Sequence, residues 1–211
     1  MTTDRWAVTT HEWSRSVDAE HLGRIRADPE RFAPGGVLHL VLEVLAYASE
    51  EADDRGAGRC VVRLHRDGSV SVDDDGRGTD TRLDEHGQPV RKPVMSTRDV
   101  RFFDTADAPL LPDGHPRRGI STVAALSAWL VHTNRRPHGS WSQRYEHGVP
   151  VTDLVPLDPD GTTGTSVRLL PDARVVPGGL PTGAPDAWVP LLRTWPTLVV
   201  DVVDDRPAGA G

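Results

Sequence analysis

The segment from Val37 to about Asp53 constrains the fold more than any other part of the chain. Apolar residues fall at 37, 38, 41, 44, 45, 48 and 52, which form one face at helical spacing. Pro34-Gly35-Gly36 precedes them as a turn signal. A helix this long and this one-sided has to bury its stripe against another layer. The other side carries Glu43, Tyr47, Glu50 and Asp54.

The pattern changes after the helix. Cys60-Val-Val-Arg-Leu-His65 and Ser69-Val-Ser-Val72 alternate with period two around Asp67-Gly68, which reads as a β-hairpin. Residues 17–28 read as a short helix that ends before Pro29. Residues 79–118 are irregular and rich in charge, Pro and Gly, and a stretch of that length inside a domain is usually functional or mobile. Gly119 to Leu130 has helical spacing. Strand-like runs follow at about 129–135, 140–146, 151–157 and 165–170, then a short helix near 185–195 and a strand at 197–203. Hairpins with inserted helices, in a chain of 211 residues, predict one α+β domain with helices on one sheet face. The boundaries expected are an N-terminal arm at 1–16, the domain at 17–206 and a flexible tail at 207–211.

Composition excludes several classes. No apolar run approaches the roughly 20 residues of a membrane span. No basic flank with an apolar core opens the chain, and Cys60 is the single cysteine, which rules out an internal disulfide and predicts a cytoplasmic protein. A net charge of −7 argues against a broad nucleic-acid footprint. The arginine pairs Arg117-Arg118 and Arg135-Arg136 read as solvated faces or as local contacts to nucleic acid. Spacing alone leaves the acidic residues open as well. Glu43 is a solvated surface charge or a working carboxylate. Asp73-Asp-Asp-Gly-Arg-Gly78 is a turn or a binding loop, and it lacks the periodic ligands of a calcium loop. The nine histidines show no compelling metal spacing, and His132 and His138 read as flanking a strand turn.

In combination the segments are more specific. His39-Leu-Val-Leu-Glu-Val44, Ser69-Val-Ser-Val-Asp-Asp-Asp-Gly-Arg-Gly78, Tyr145-Glu-His-Gly-Val-Pro150 and Gly164-Thr-Ser-Val-Arg168 stand in this order. So arranged, the chain over about residues 17–206 resembles the ATPase domain of the DNA gyrase B subunit. That is the gyrase and topoisomerase IV branch of the Bergerat (GHKL) family. The resemblance implies a two-layer α/β sandwich with a mixed, mostly antiparallel sheet and helices on one face. It implies ATP or ADP as ligand. Glu43 falls where the family has its general base, and Asp74 where a carboxylate accepts from the adenine amino group. Gly76 and Gly78 allow backbone to approach the base, and Thr165 shares that network through its hydroxyl. Arg77 and Arg136 match rim arginines. Gly119 matches the last glycine of the phosphate lid, at a helix start.

The departures from the family cluster at the other end of the site. Tyr47 stands where the family has the Asn that binds Mg²⁺, and a phenol with a pKa of about 10 is a poor ligand for that ion. Ala46 replaces an acidic residue. The lid reads Gly114-His-Pro-Arg-Arg-Gly119, in which Pro116 lacks an N–H and Arg117 replaces a glycine. Arg101-Phe-Phe-Asp104 replaces the glycine- and lysine-bearing stretch of the lid. The expectation is a stand-alone adenine-nucleotide-binding protein with weak or no hydrolysis, holding no Mg²⁺ and lacking the transducer and Toprim parts of a topoisomerase. The alternatives are an active ATPase with an altered metal site, and a non-enzymatic regulatory protein with a vestigial pocket. A second copy bound through the arm, or another protein, is the expected partner. Membrane and direct DNA binding are not expected.

Overall fold

The computed structural model describes residues 17–79, 82–83, 89–90, 93–103, 105, 107–137, 139–181 and 183–207. The arm, His138, Asp104 and residues 208–211 lie outside the described residues. Helix α1 (Ala19–Ala27) is capped by Asp18, whose carboxylate accepts from the His21 N–H at 3.0 Å. A single-turn helix α2 (Pro29–Phe32) follows, with Pro29 at its first position, where no N–H is needed. Helix α3 (Val37–Arg55) is the predicted long helix, and Gly56 ends it in the left-handed conformation. Then come β1 (Gly58–Leu64), β2 (Val70–Asp74), the short pair β3 (Arg82–Leu83) and β4 (Pro89–Val90), and helix α4 (Ile120–Ala125). Strands β5 (Ser127–Arg135), β6 (Trp141–Glu146), β7 (Val149–Pro150), β8 (Val155–Pro156) and β9 (Gly164–Pro171) precede α5 (Ala184–Leu192) and β10 (Leu198–Asp204).

Among the described residues the main sheet has eight strands in the order β10-β1-β2-β9-β5-β6-β7, with β8 also on β6. Only β1 and β10 run parallel; the other pairs are antiparallel. This is the mixed, mostly antiparallel α+β sandwich that the resemblance implied. Leu40, Leu42 and Leu45 of α3 are fully buried, together with Val62 and Leu64 of β1. Burying each such side chain stabilises by about 1.5–3 kcal/mol, so α3 and the sheet hold each other. Pro29–Arg55 has the length and hydropathy of a membrane span, but most of it is buried inside the domain.

Two expectations need correction. The helix at 119–130 stops at Ala125, and β5 takes over from Ser127. Eight of the nine residues of β5 pair with β9, with an irregularity between Ser127 and Trp129, and this long-range pairing overrides the local helical spacing. Of the strand expected at 151–157 only the two residues of β8 form, and β7 ends before it at Pro150; both short strands pair with β6.

The sheet permits no side chain at Gly164. It has φ +132, and a Cβ there would sit 1.9 Å from the Asp74 carbonyl oxygen. Gly164→Ala is expected to cost roughly 2–3 kcal/mol, seen in a thermal scan as a melting temperature lower by about 5–10 °C.

Candidate functional site

Register builds the floor of the site. Val72 pairs with Val167 and Asp73 with Ser166, while His132 pairs with Val167 and Asn134 with Thr165. Side chains alternate along each strand. Asp74, Thr165 and Asn134 therefore form one row across β2, β9 and β5, and Val72, Val167 and His132 form the next. Above them Val44, Tyr47, Ala48 and Glu51 of α3 form one wall of a cavity of about 390 Å³. That volume is within the range of small-molecule sites.

Asp74 is held by backbone. Its Oδ1 accepts from Gly76 N at 2.8 Å and from Thr165 N at 3.1 Å. Burial pushes its pKa up to about 6, against those two N–H groups. Oδ2 makes no hydrogen bond with the described residues and is the free acceptor of the cavity. Gly78 has φ +73, and a Cβ there would meet Arg135 O and Asn134 Oδ1, each at 2.7 Å, and Arg136 Cγ at 3.0 Å. Asn134 brackets the neighbouring residue, accepting from Thr79 N at 2.6 Å and donating to Thr79 O at 3.1 Å. Arg77 grips Glu51 with two bonds of 2.7 and 2.8 Å on the outside of the site.

Glu43 is not a solvated charge; it is fully buried. Its carboxylate accepts from the backbone N–H groups of Arg118 and, at 2.9 Å, Gly119. Its neighbour one turn earlier, His39, bonds Asp113 at 2.7 Å and lies 3.6 Å from the Glu43 carboxylate. Burial pulls the His39 pKa below its ordinary value, against the pull of Asp113. Burial pushes Glu43 up to about 7, opposed by the two N–H groups. The Tyr47 hydroxyl accepts from Ile120 N and donates to Asp99, both at 3.2 Å. Three successive amides at the start of α4 are thus taken by side chains of α3. Burial and the Asp99 charge raise the phenol pKa further.

Arg117 is buried, which corrects the solvated-face reading. Its guanidinium lies 4.0 Å from the Phe102 ring centre and 4.4 Å from that of Tyr47, and it pairs with Glu50. Arg101 is paired with Asp99 at 2.7 Å. The acidic run 73–75 diverges: Asp73 accepts from Ser71, Asp74 faces the cavity, and Asp75 accepts from Arg59 N. Among the described residues no group of three or more His, Cys, Asp or Glu is arranged to hold a metal.

No family model matches the sequence. The chain is 36% identical over 166 residues to the B subunit of the mitochondrial DNA gyrase of Arabidopsis thaliana, covering 70% of this chain and 22% of that protein. It is 34% identical over 161 residues to the DNA gyrase B subunit of Thermotoga maritima, covering 70% and 25%. It is 31% identical over 138 residues to the B subunit of DNA topoisomerase 4 of Bacillus subtilis, covering 65% and 21%. The chain carries an ATPase-like domain of gyrase B type. It spans between about a fifth and a quarter of the length of these relatives.

In this gyrase-B-type domain Asp74, Gly78 and Thr165 line one cavity, and Gly76 supports Asp74 from behind. Arg136 stands beside Gly78. Glu43 and Gly119 bond each other and are not among the residues that line that cavity. Asn134, Asp99 and Asp113 are not legible as site residues in the sequence, because each acts through a long-range contact and belongs to no local motif.

The buried Glu43 gives a pH prediction. Between about pH 4.5, the unfolded value, and about 7, the folded protein keeps its proton while the unfolded chain releases it. The stability that Glu43 contributes therefore falls as pH rises through this window. His39 biases stability the opposite way, so the comparison is made with a variant. Glu43→Gln is expected to gain on the wild type between pH 5 and 8, by on the order of 3 kcal/mol in total. Parallel denaturant titrations across that range check it, and a constant difference would refute it.

Proposed function

We propose that this gyrase-B-type domain binds an adenine nucleotide by its base and hydrolyses ATP weakly or not at all. The observation that carries the reading is the contrast between the two ends of the site. The base end is open, with the Asp74 carboxylate held by two N–H groups and one oxygen left as an acceptor for an adenine amino group. Thr165 adds a hydroxyl beside it, and Gly76 and Gly78 keep the backbone close. Arg77 and Arg136 stand at the rim.

The phosphate end is occupied by the protein itself. A general base needs a free oxygen facing water, yet both Glu43 oxygens accept from the lid amides at Arg118 and Gly119. Mg²⁺ asks for hard oxygens in near-octahedral array, and Tyr47 offers a protonated phenol already bonded to Asp99 and Ile120. These residues do not fit the ion. A cytoplasmic protein that meets a second copy or another protein is part of the same proposal; the arm that would serve lies outside the described residues.

A second reading, an active ATPase, has one observation in its favour. Glu43 with a pKa near 7 is poised as general bases are. Calorimetry with ATP, ADP and adenosine, with and without Mg²⁺, separates the two. The first reading expects binding that is independent of Mg²⁺ and survives loss of the phosphates. Mg²⁺-dependent turnover abolished by Glu43→Gln would establish the second.

Asp74→Asn keeps an oxygen for Gly76 and Thr165 but turns an amide NH₂ toward the ligand's amino group. It is expected to weaken adenosine binding about ten-fold or more; unchanged affinity would remove Asp74 from the reading. Tyr47→Asn is expected to make ATP binding respond to Mg²⁺, measured as a difference in affinity with and without the ion.

A further inference from the structure

The inner face of β5 carries Leu130, His132 and Asn134. Alternation on a buried strand face calls for apolar residues there. Leu130 meets that demand, and Asn134 is satisfied by Thr79. His132 is different. It is 4% exposed, and its Nδ1 is fully buried with no hydrogen-bond partner. Neither ring nitrogen bonds any described residue.

The neighbours cannot supply a bond. Val167, opposite on β9, is apolar. Gln143, opposite on β6, donates its amide to Thr152 O at 2.9 Å and accepts from the Tyr145 hydroxyl at 2.6 Å. Trp141 meets the imidazole edge-on, with ring centres 5.0 Å apart. His132 lines the cavity together with Asp74, Thr165 and Val167, and since Nδ1 is shut off from solvent, Nε2 is the ring nitrogen that can open on it. A buried polar group without a partner destabilises the fold that holds it, and a leucine would fill this place without that cost.

We propose that His132 is a second base-reading group, which hydrogen-bonds a ring nitrogen of the heteroaromatic ligand whose amino group Asp74 holds. The inference rests on the adenine reading given above and adds to it a residue and a requirement on the ligand. Burial lowers the His132 pKa to about 4. The imidazole is therefore neutral near pH 7, with one nitrogen as donor and one as acceptor. It can donate to a ring nitrogen without placing a charge against the base. Two polar contacts on different β-strands would fix the base in its plane as well as its position.

Calorimetry of adenosine and its 1-, 3- and 7-deaza analogues, against wild type, His132→Leu and His132→Gln, tests this. His132→Leu is expected to bind adenosine about ten-fold more weakly, about 1.4 kcal/mol. Its ligand-free melting temperature should be unchanged or higher, because the unpaired nitrogen is gone. His132→Gln should recover part of the affinity. One deaza analogue should lose a similar factor on wild type and nothing further on His132→Leu. Unchanged adenosine affinity in His132→Leu, or losses that simply add, would overturn the role of His132 and leave a histidine that serves packing or a bound water. If His132→Leu does not fold, the same cycle is read with His132→Gln, and absence of coupling overturns the proposal. A wild-type protein that binds neither adenosine nor ATP overturns the adenine reading itself, and this inference with it.

Discussion

The Glu43 carboxylate joins the two halves of the site. It sits on the long helix, wholly out of water, and accepts from the amides of Arg118 and Gly119 where α4 begins. An isolated buried carboxylate is costly, and this one is held by backbone dipoles and by a proton it keeps to about pH 7. Tyr47, one turn along, takes the next amide, Ile120 N. The chain from 117 to 120 is thereby fixed against α3. Gly119 makes the approach possible, since a Cβ there would lie 3.1 Å from Asp99 Cβ and 3.4 Å from the Tyr47 hydroxyl. Oriented N–H groups at a helix start seek acceptors, and here the acceptor is the protein's own Glu43 carboxyl.

That closure divides the site into ends with different chemistry. The sheet end keeps a row of acceptors and hydroxyls set by strand register, with Asp74 as its charged member. The helix end is dense with compensated charge: Arg117 between two rings and on Glu50, and Arg101 on Asp99. A group entering there would have to displace the bonds of Glu43 and Tyr47 to residues 118–120, and it would meet two Arg117 nitrogens that are buried without a hydrogen-bond partner. A base entering the sheet end meets a free carboxylate oxygen and an unpartnered imidazole. Kinship to the B subunits of gyrase and topoisomerase IV accounts for the framework of this site. The filling of its helix end is the work of Glu43, Tyr47 and Arg117.

Much of this is legible in the sequence because it is local or periodic. The amphipathic spacing of 37–53 places α3 to within two residues at its C-terminal end, and the Asp67-Gly68 turn marks the β1–β2 hairpin. The match at Asp74, Gly78 and Thr165 is legible as motif, and the structure gathers all three around one cavity. The boundary at 119–130 is not legible, because helical spacing there loses to eight residues of strand paired with β9. His132 is hidden for a similar reason: nothing in its neighbours along the chain says that its strand face is the floor of a cavity.

Neighbouring residues alone specify the layers of this protein and its family, because hydrophobic period, turn residues and short motifs are all local properties. What those residues do to one another is a matter of tertiary contact. Whether Glu43 faces water or the amides of residues 118 and 119, whether Arg117 meets solvent or two aromatic rings, and whether His132 has a partner all depend on segments distant along the chain. Burial then sets their charge and hydrogen-bonding state, and no local pattern encodes burial of that kind.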